Sequence, residues 1–170
     1  MQTEHARIAM KIQIQGGAFP GEKSSKDSNH IIESRYGNLS VNLDNAIFFP
    51  KGLLGMPDFK DFCVAEMPNS KTPALKLLQS LNDKDLSFIV LPADAANKFI
   101  ETQDMAECIA VTGVAKENIL LLFILTVQNI PGSVKITANI RAPIVIDTAE
   151  KLAIQYVFPS SKYDIRHILS

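Results

Sequence analysis

Tryptophan is absent from the 170-residue chain, and there are only two cysteines and three histidines. Cys63 and Cys108 permit one disulfide at most, and each sits among apolar neighbours, which favours buried free thiols over a bridge or a nucleophile. His5, His30 and His167 form no pair with metal-ligand spacing, and two distant cysteines do not complete a tetrahedral zinc site. No G-x-S-x-G turn exists to present a serine nucleophile. A surplus of charge is also lacking. The 17 Lys and Arg against 18 Asp and Glu give a net charge of -1, and no basic cluster follows the spacing of phosphates, so direct nucleic-acid binding is not expected. Long hydrophobic runs are missing too. Ile119 to Val127 falls well short of the roughly 20 residues of a membrane span and reads as a strand. The N-terminal MQTEHARIAMKIQIQ has neither the apolar stretch nor the cleavage site of a secretory signal, so the expected location is the cytoplasm.

What is present is a hydrophobic content of 46%, enough for a buried core, in a chain of single-domain length. Residues 1–33 stand apart. The alternating stretch Ile8 to Ile14 leads into GGAFPGEKSSKDSNH, which has no apolar period and reads as an extension ahead of a domain at 34–170. From Arg35 onward short β-like runs follow one another: YGNLSV, AIFF, DFCVAE, ALKLL, LSFIVL, CIAVTG, NILLLFILTV, VKITANI, PIVIDT and LAIQYVF. Turn residues separate several of them, notably Pro68-Asn69-Ser70, Asn82-Asp83-Lys84-Asp85 and Ile130-Pro131-Gly132-Ser133. This spacing predicts an all-β, mainly antiparallel, small β-barrel-like domain with one or two short helices. The best helical candidate is Ala93 to Cys108, with Thr102 as a possible cap, and Thr148 is a candidate for a further single turn.

Motifs that suggest chemistry do not survive inspection. Gly16 through Gly21-Glu22-Lys23-Ser24 resembles a phosphate-binding loop, but Glu22 displaces the lysine by one position and puts negative charge where phosphates would lie. Glu101, Asp104 and Glu107 recur every three residues and read as a solvated helix face in preference to an acid/base pair. No catalytic residue, metal ligand or cofactor site is assigned.

The ordered weak motifs are more informative. Arg35-Tyr36-Gly37-Asn38-Leu39, Phe48-Phe49-Pro50-Lys51-Gly52-Leu53-Leu54-Gly55 with Phe59 and Phe62, Leu78-Gln79-Ser80, and Leu86-Ser87-Phe88 leading to Pro92 come first. Ile136 to Ile146 with its Asn139-Ile140-Arg141-Ala142-Pro143 centre follows, then Gln155, Tyr163 and Arg166. In this order the chain resembles the flagellar assembly factor FliW family. Met56, Ile140 and Ala153 stand where that family usually has Phe, Leu and Gly, and residues 1–33 fall outside the likeness. Members tend to be acidic, whereas residues 34–170 carry 13 basic and 14 acidic side chains.

The resemblance implies a regulatory protein and not an enzyme. Such proteins bind the translational regulator CsrA and relieve its repression of flagellin mRNA, with flagellin as the competing partner. A flagellin chaperone without CsrA binding is the alternative, and a small β-barrel ligand-binding domain or enzyme with an unrecognised site is a more distant one. No membrane contact is implied. The partner-binding candidates are Asn139, Arg141, Pro143, Gln155, Tyr163 and Arg166. Asn139 and Gln155 fit local backbone hydrogen bonding better than partner contact, while Arg141 at a bend suits directed contact. The phenylalanines between Phe48 and Phe62 are read as core.

Overall fold

The structure, a computed structural model, describes residues 29–159 and 161–169. Strands β1 (Asn29–Ser34) and β2 (Gly37–Asn42) form a hairpin that pairs Ser34 with Gly37 and Ile32 with Leu39. Then β3 (Ala46–Phe48), β4 (Asp61–Glu66), β5 (Lys76–Ser80), β6 (Ser87–Ala93) and β7 (Ile119–Ile130) pair successively, each antiparallel to the one before. Helix α1 (Thr102–Thr112) lies between β6 and β7. Strands β8 (Ser133–Ala138), β9 (Ile144–Asp147), β10 (Leu152–Gln155) and β11 (His167–Ile168) complete the chain.

Strand β7 uses its length twice. Its first half pairs with β6 on one side and β9 on the other, and its second half leaves them to form a hairpin with β8. β9 pairs with β10, and β10 reaches β3 through the parallel pair Leu152 and Phe48, so seven strands close into a ring. The Phe48 N–H donates to the Lys151 carbonyl at 2.9 Å across this seam. The side-chain period of two then sorts residues into an inside and an outside. Ile47, Phe62, Leu78, Val90, Leu120, Leu122, Ile144, Ile146 and Ala153 fill the interior with Phe49 and Leu53. Cys63, Ala65 and Leu77 face outward and are covered by Leu39 and Val41 of the β1–β2 hairpin. Leu121, Phe123 and Val145 face outward elsewhere, where Met105 and Cys108 of α1 and Phe158 and Tyr163 of the C-terminal segment cover them. Both faces of the first half of β7 are therefore buried, which is why ILLLFIL lacks polar alternation. Beyond Leu125 all of its residues are exposed, as the hairpin with β8 extends past the ring.

Several expectations are corrected. Strand β1 spans Asn29–Ser34, and residues 1–28 of the expected extension lie outside the described residues. CIAVTG is no strand: Cys108 to Thr112 form the second half of α1, ended by Gly113 at φ 72°, whose N–H donates to the Ile109 carbonyl. Its β-branched residues suggested a strand, but Met105 and Cys108 at i, i+3 bury one helix face, and that burial decides the conformation. Thr102 is the first helical residue and Glu101 the N-cap position, with no side-chain cap. Thr148 starts a turn and no helix; its hydroxyl donates to the Asn118 carbonyl at 2.8 Å, and Lys151 at φ 61° closes the turn. The phenylalanine-rich stretch is largely internal, with Phe49 and Phe62 edge to face at 5.0 Å.

The loop after β3 depends on Gly52, at φ +64°, where an added Cβ would lie 2.4 Å from the Met56 carbonyl oxygen and 2.7 Å from Pro57 Cα. Gly52→Ala is expected to lower unfolding free energy by about 2 kcal/mol or more, since left-handed strain adds to a backbone clash. Urea denaturation measures this; an unchanged midpoint would contradict the assignment.

Candidate functional site

One end of the ring gathers the loop after β3, the loop between β5 and β6, the corner between β8 and β9, and the residues following β10. The corner is braced by backbone hydrogen bonds to β7, to the residues after β10 and to the C-terminal segment, and by two side-chain amides. Asn139 donates its N–H to the Ile124 carbonyl at 2.9 Å, and its Oδ1 accepts the Ala142 N–H at 3.0 Å. The side-chain Nε2 of Gln155 donates to the Ala142 carbonyl at 3.1 Å, while its Oε1 accepts the Leu54 N–H at 3.1 Å. A single amide thus ties the loop after β3 to the corner and to β10. Pro143 is buried and accepts the Tyr156 N–H, and the Arg141 carbonyl accepts that of Phe158. Asn139, Pro143 and Gln155 therefore hold the corner's shape.

Arg141 differs. It is half-buried, and its guanidinium makes no hydrogen bond or ion pair among the described residues. Arg166 is exposed and likewise without a side-chain partner there. Exposed Leu54 and Val157, both adjoining the braced corner in the chain or through the Gln155 bond, add apolar surface. An arginine whose donors have no partner among the described residues, on a corner with exposed aliphatics, suits protein recognition.

Tyr163 is not on that surface. It is 6% exposed, its ring packs 5.1 Å from that of Phe158, and its hydroxyl donates to Asp104 Oδ2 while accepting the Glu101 N–H at 3.0 Å. The aromatic ring is packed inside, where it anchors the C-terminal segment. Beside it, Lys162 Nζ lies 2.7 Å from both Glu101 Oε2 and Asp104 Oδ2 and 5.2 Å above the Tyr163 ring. Two carboxylates of the expected solvated stripe thus clasp the C-terminal segment to the start of α1. Sequence spacing gave no signal for this, because Asp104 and Tyr163 are 59 residues apart. The hydrogen bond from Lys162, then that from Tyr163, holds the Asp104 carboxyl below its usual range. Burial, followed by the Asp104 contact, pushes the Tyr163 phenol up.

A second polar node lies between β5 and β6. Gln79 is fully buried; its Nε2 reaches the carbonyls of Ser80 and Asp83 at 2.9 Å and of Leu86 at 3.2 Å, and its Oε1 accepts the Ser87 hydroxyl. Arg35 fastens the β1–β2 hairpin to the same loop, donating to the Ser87 carbonyl at 2.9 Å and, from its N–H, to that of Lys84 at 3.1 Å. These are braces too. Burial pushes the thiols of Cys63 and Cys108 up to about 12 and about 11, leaving them protonated near neutrality and poorly suited to nucleophilic roles. Among the described residues no three His, Cys, Asp or Glu side chains cluster to hold a metal ion, and no helix is long and apolar enough to cross a membrane. His167 sits in β11 with its ring edge to face with Phe99 at 5.8 Å.

Together these features define an all-β protein whose candidate site is a braced corner at one end of the ring. The FliW protein family model matches residues 30–169, and the chain belongs to the FliW family. It is similar to flagellar assembly factor FliW 2 of Desulfotalea psychrophila, with 31% identity over 140 residues covering 79% of this chain and 87% of that protein. It is also similar to flagellar assembly factor FliW of Syntrophotalea carbinolica, with 31% identity covering 81% and 96%. A crystal structure of the flagellar assembly factor FliW superposes with a TM-score of 0.63 and 23% identity, covering 83% of this chain and 97% of that one, a likeness of fold. The relatives are named as assembly factors and not as enzymes.

The clasp has a definite pH signature. Because the folded Asp104 carboxyl is depressed below its ordinary 3.8, its contribution is complete above that value and is lost as pH falls through the folded one. The Tyr163 ring resonances in NMR spectra are expected to stay constant from neutrality to about pH 4 and to move only under more acidic conditions. Movement centred above pH 5 would contradict it.

Proposed function

We propose that this chain acts in flagellar assembly by protein binding: it captures the translational regulator CsrA, relieves repression of flagellin mRNA, and yields CsrA when flagellin occupies it. The observation that carries this reading is membership of the FliW family through residues 30–169, a span that includes the whole braced corner. CsrA and unexported flagellin belong to the cytoplasm, which is accordingly the proposed site of action. The Arg141 guanidinium, which has no side-chain partner among the described residues, is the proposed contact, with Arg166 as a second cation. Direct RNA binding is not part of the mechanism, since a net charge of -1 offers no field for phosphates.

A second reading, a flagellin chaperone that does not bind CsrA, is favoured by one observation. The matched region is nearly neutral, so it lacks a strongly acidic surface with which to attract a cationic RNA-binding protein.

Calorimetric titration with CsrA and with flagellin of the same organism, each repeated with the other prebound, separates the readings. Binding of both with mutual suppression is expected; flagellin binding alone would favour the chaperone, and binding of neither would remove both. Arg141→Ala is expected to weaken capture about tenfold or more without changing thermal stability, as for an anchoring arginine at an interface. Full affinity in that variant would move the contact elsewhere.

A further inference from the structure

Residues 161–169 lie across the outside of the ring with contacts of very unequal kinds. Ser161, Lys162, Asp164, Ile165, Arg166 and Ile168 are exposed, and Tyr163 is the one side chain of the segment that is buried. Ile165 and Ile168 are largely exposed, at 61% and 62%. Leu169 is half-buried against the core beneath, and the His167 ring meets that of Phe99 edge to face at 5.8 Å; the remaining attachment is polar. The Asp164 carbonyl accepts the N–H groups of Ile140 and Arg141 at 3.0 and 3.3 Å, and Leu169 donates to the Ile136 carbonyl at 2.9 Å. β11 pairs only His167 with Ala138 and Ile168 with Thr137, and Lys162 makes solvent-accessible ion pairs. Such ion pairs contribute little net free energy, and a segment with few buried apolar contacts opens locally at low free energy.

Lifting this segment would uncover the outer edge of β8 from Ile136 to Ala138, two N–H donors at the Asn139–Arg141 corner, a seat against Phe158, and the Asp104 carboxylate. These are the parts of a groove that receives an added strand: unpaired backbone groups for pairing and a pocket for one anchoring side chain. We propose that residues 161–169 are an exchangeable strap, and that the groove beneath accepts an extended segment of a partner protein carrying an aromatic residue preceded by a cation. The strap itself defines what the groove takes. An aromatic hydroxyl satisfies both the Asp104 carboxylate and the Glu101 N–H, the preceding cation bridges Glu101 and Asp104, and the following backbone pairs with β8. Because the Arg141 N–H is one of the two donors to the strap, exchange also alters the backbone of the corner.

The test is independent of the partners proposed above. A labelled peptide with the sequence of residues 161–169, SKYDIRHIL, is titrated into the full chain and into the Lys162→Met/Tyr163→Ala double variant, with binding followed by fluorescence anisotropy. The variant keeps the groove and weakens the resident strap, so it is expected to bind the peptide at least about tenfold more tightly than the unaltered chain. Replacing the peptide's tyrosine by alanine, or Asp104→Asn in the protein, is expected to abolish that gain. Equal affinity for both proteins, or no binding to a folded variant, overturns the proposal. Should the double variant not fold, Lys162→Met alone is examined by amide exchange. Selective acceleration at Ile140 and Arg141 with ring amides unchanged supports a strap, and unchanged or uniformly faster exchange overturns it.

Discussion

The rest of the structure depends on the need of β7 to bury both faces of its first half. A strand with Leu120 and Leu122 on one side and Leu121 and Phe123 on the other has no solvent face, so it requires a core within and a cover without. The interior comes from ring closure, in which every ring strand contributes alternate residues. The cover comes from α1 and the C-terminal segment, which is why a single helix stands between β6 and β7. Fully burying one Leu or Phe side chain contributes about 1.5–3 kcal/mol, so four such residues on one short strand outweigh any local preference of neighbouring segments. That is how CIAVTG becomes helical despite its composition.

Closing a ring leaves loops at its ends, and here side-chain amides order them, Gln79 fully buried and Gln155 half-buried. Gln79 gathers the carbonyls of the β5–β6 loop, and Gln155 joins the loop after β3 to the corner before β9. A neutral amide supplies both donor and acceptor without the desolvation penalty of a buried charge. The corner is therefore ordered in advance, and any association at it would carry a reduced entropy cost.

Strands with a regular period or with two buried faces were legible in the sequence, as were the turns that carry Gly, Pro, Asn and Asp, such as Ile130 to Ser133. β11 was not, because two residues carry no period and their conformation is set by the edge of β8. Neither was the seam between β3 and β10, which rests on one parallel pair. At the site, residue order pointed to Asn139, Arg141 and Gln155 and so located the corner, but residue type alone did not separate a brace from a contact. Only the geometry distinguishes the satisfied amides from the unused guanidinium of Arg141. The Lys162–Asp104 clasp escaped entirely, since ion pairs between elements distant in sequence leave no spacing to read.

The brace and the contact are mechanically connected. Arg141 is half-buried, and its N–H and carbonyl are both engaged, the former by Asp164 of the C-terminal segment and the latter by Phe158. Its neighbour Ala142 is held by Asn139 and Gln155. The orientation of the guanidinium is thus set jointly by the loop after β3, by β10 and by the C-terminal segment. A change in any of these three alters how that charge is offered, whereas the ring, packed to a closed interior, has no comparable freedom. Adjustment at this end of the molecule therefore falls to the elements attached around the ring, among them the C-terminal segment, in which Tyr163 is the one buried side chain.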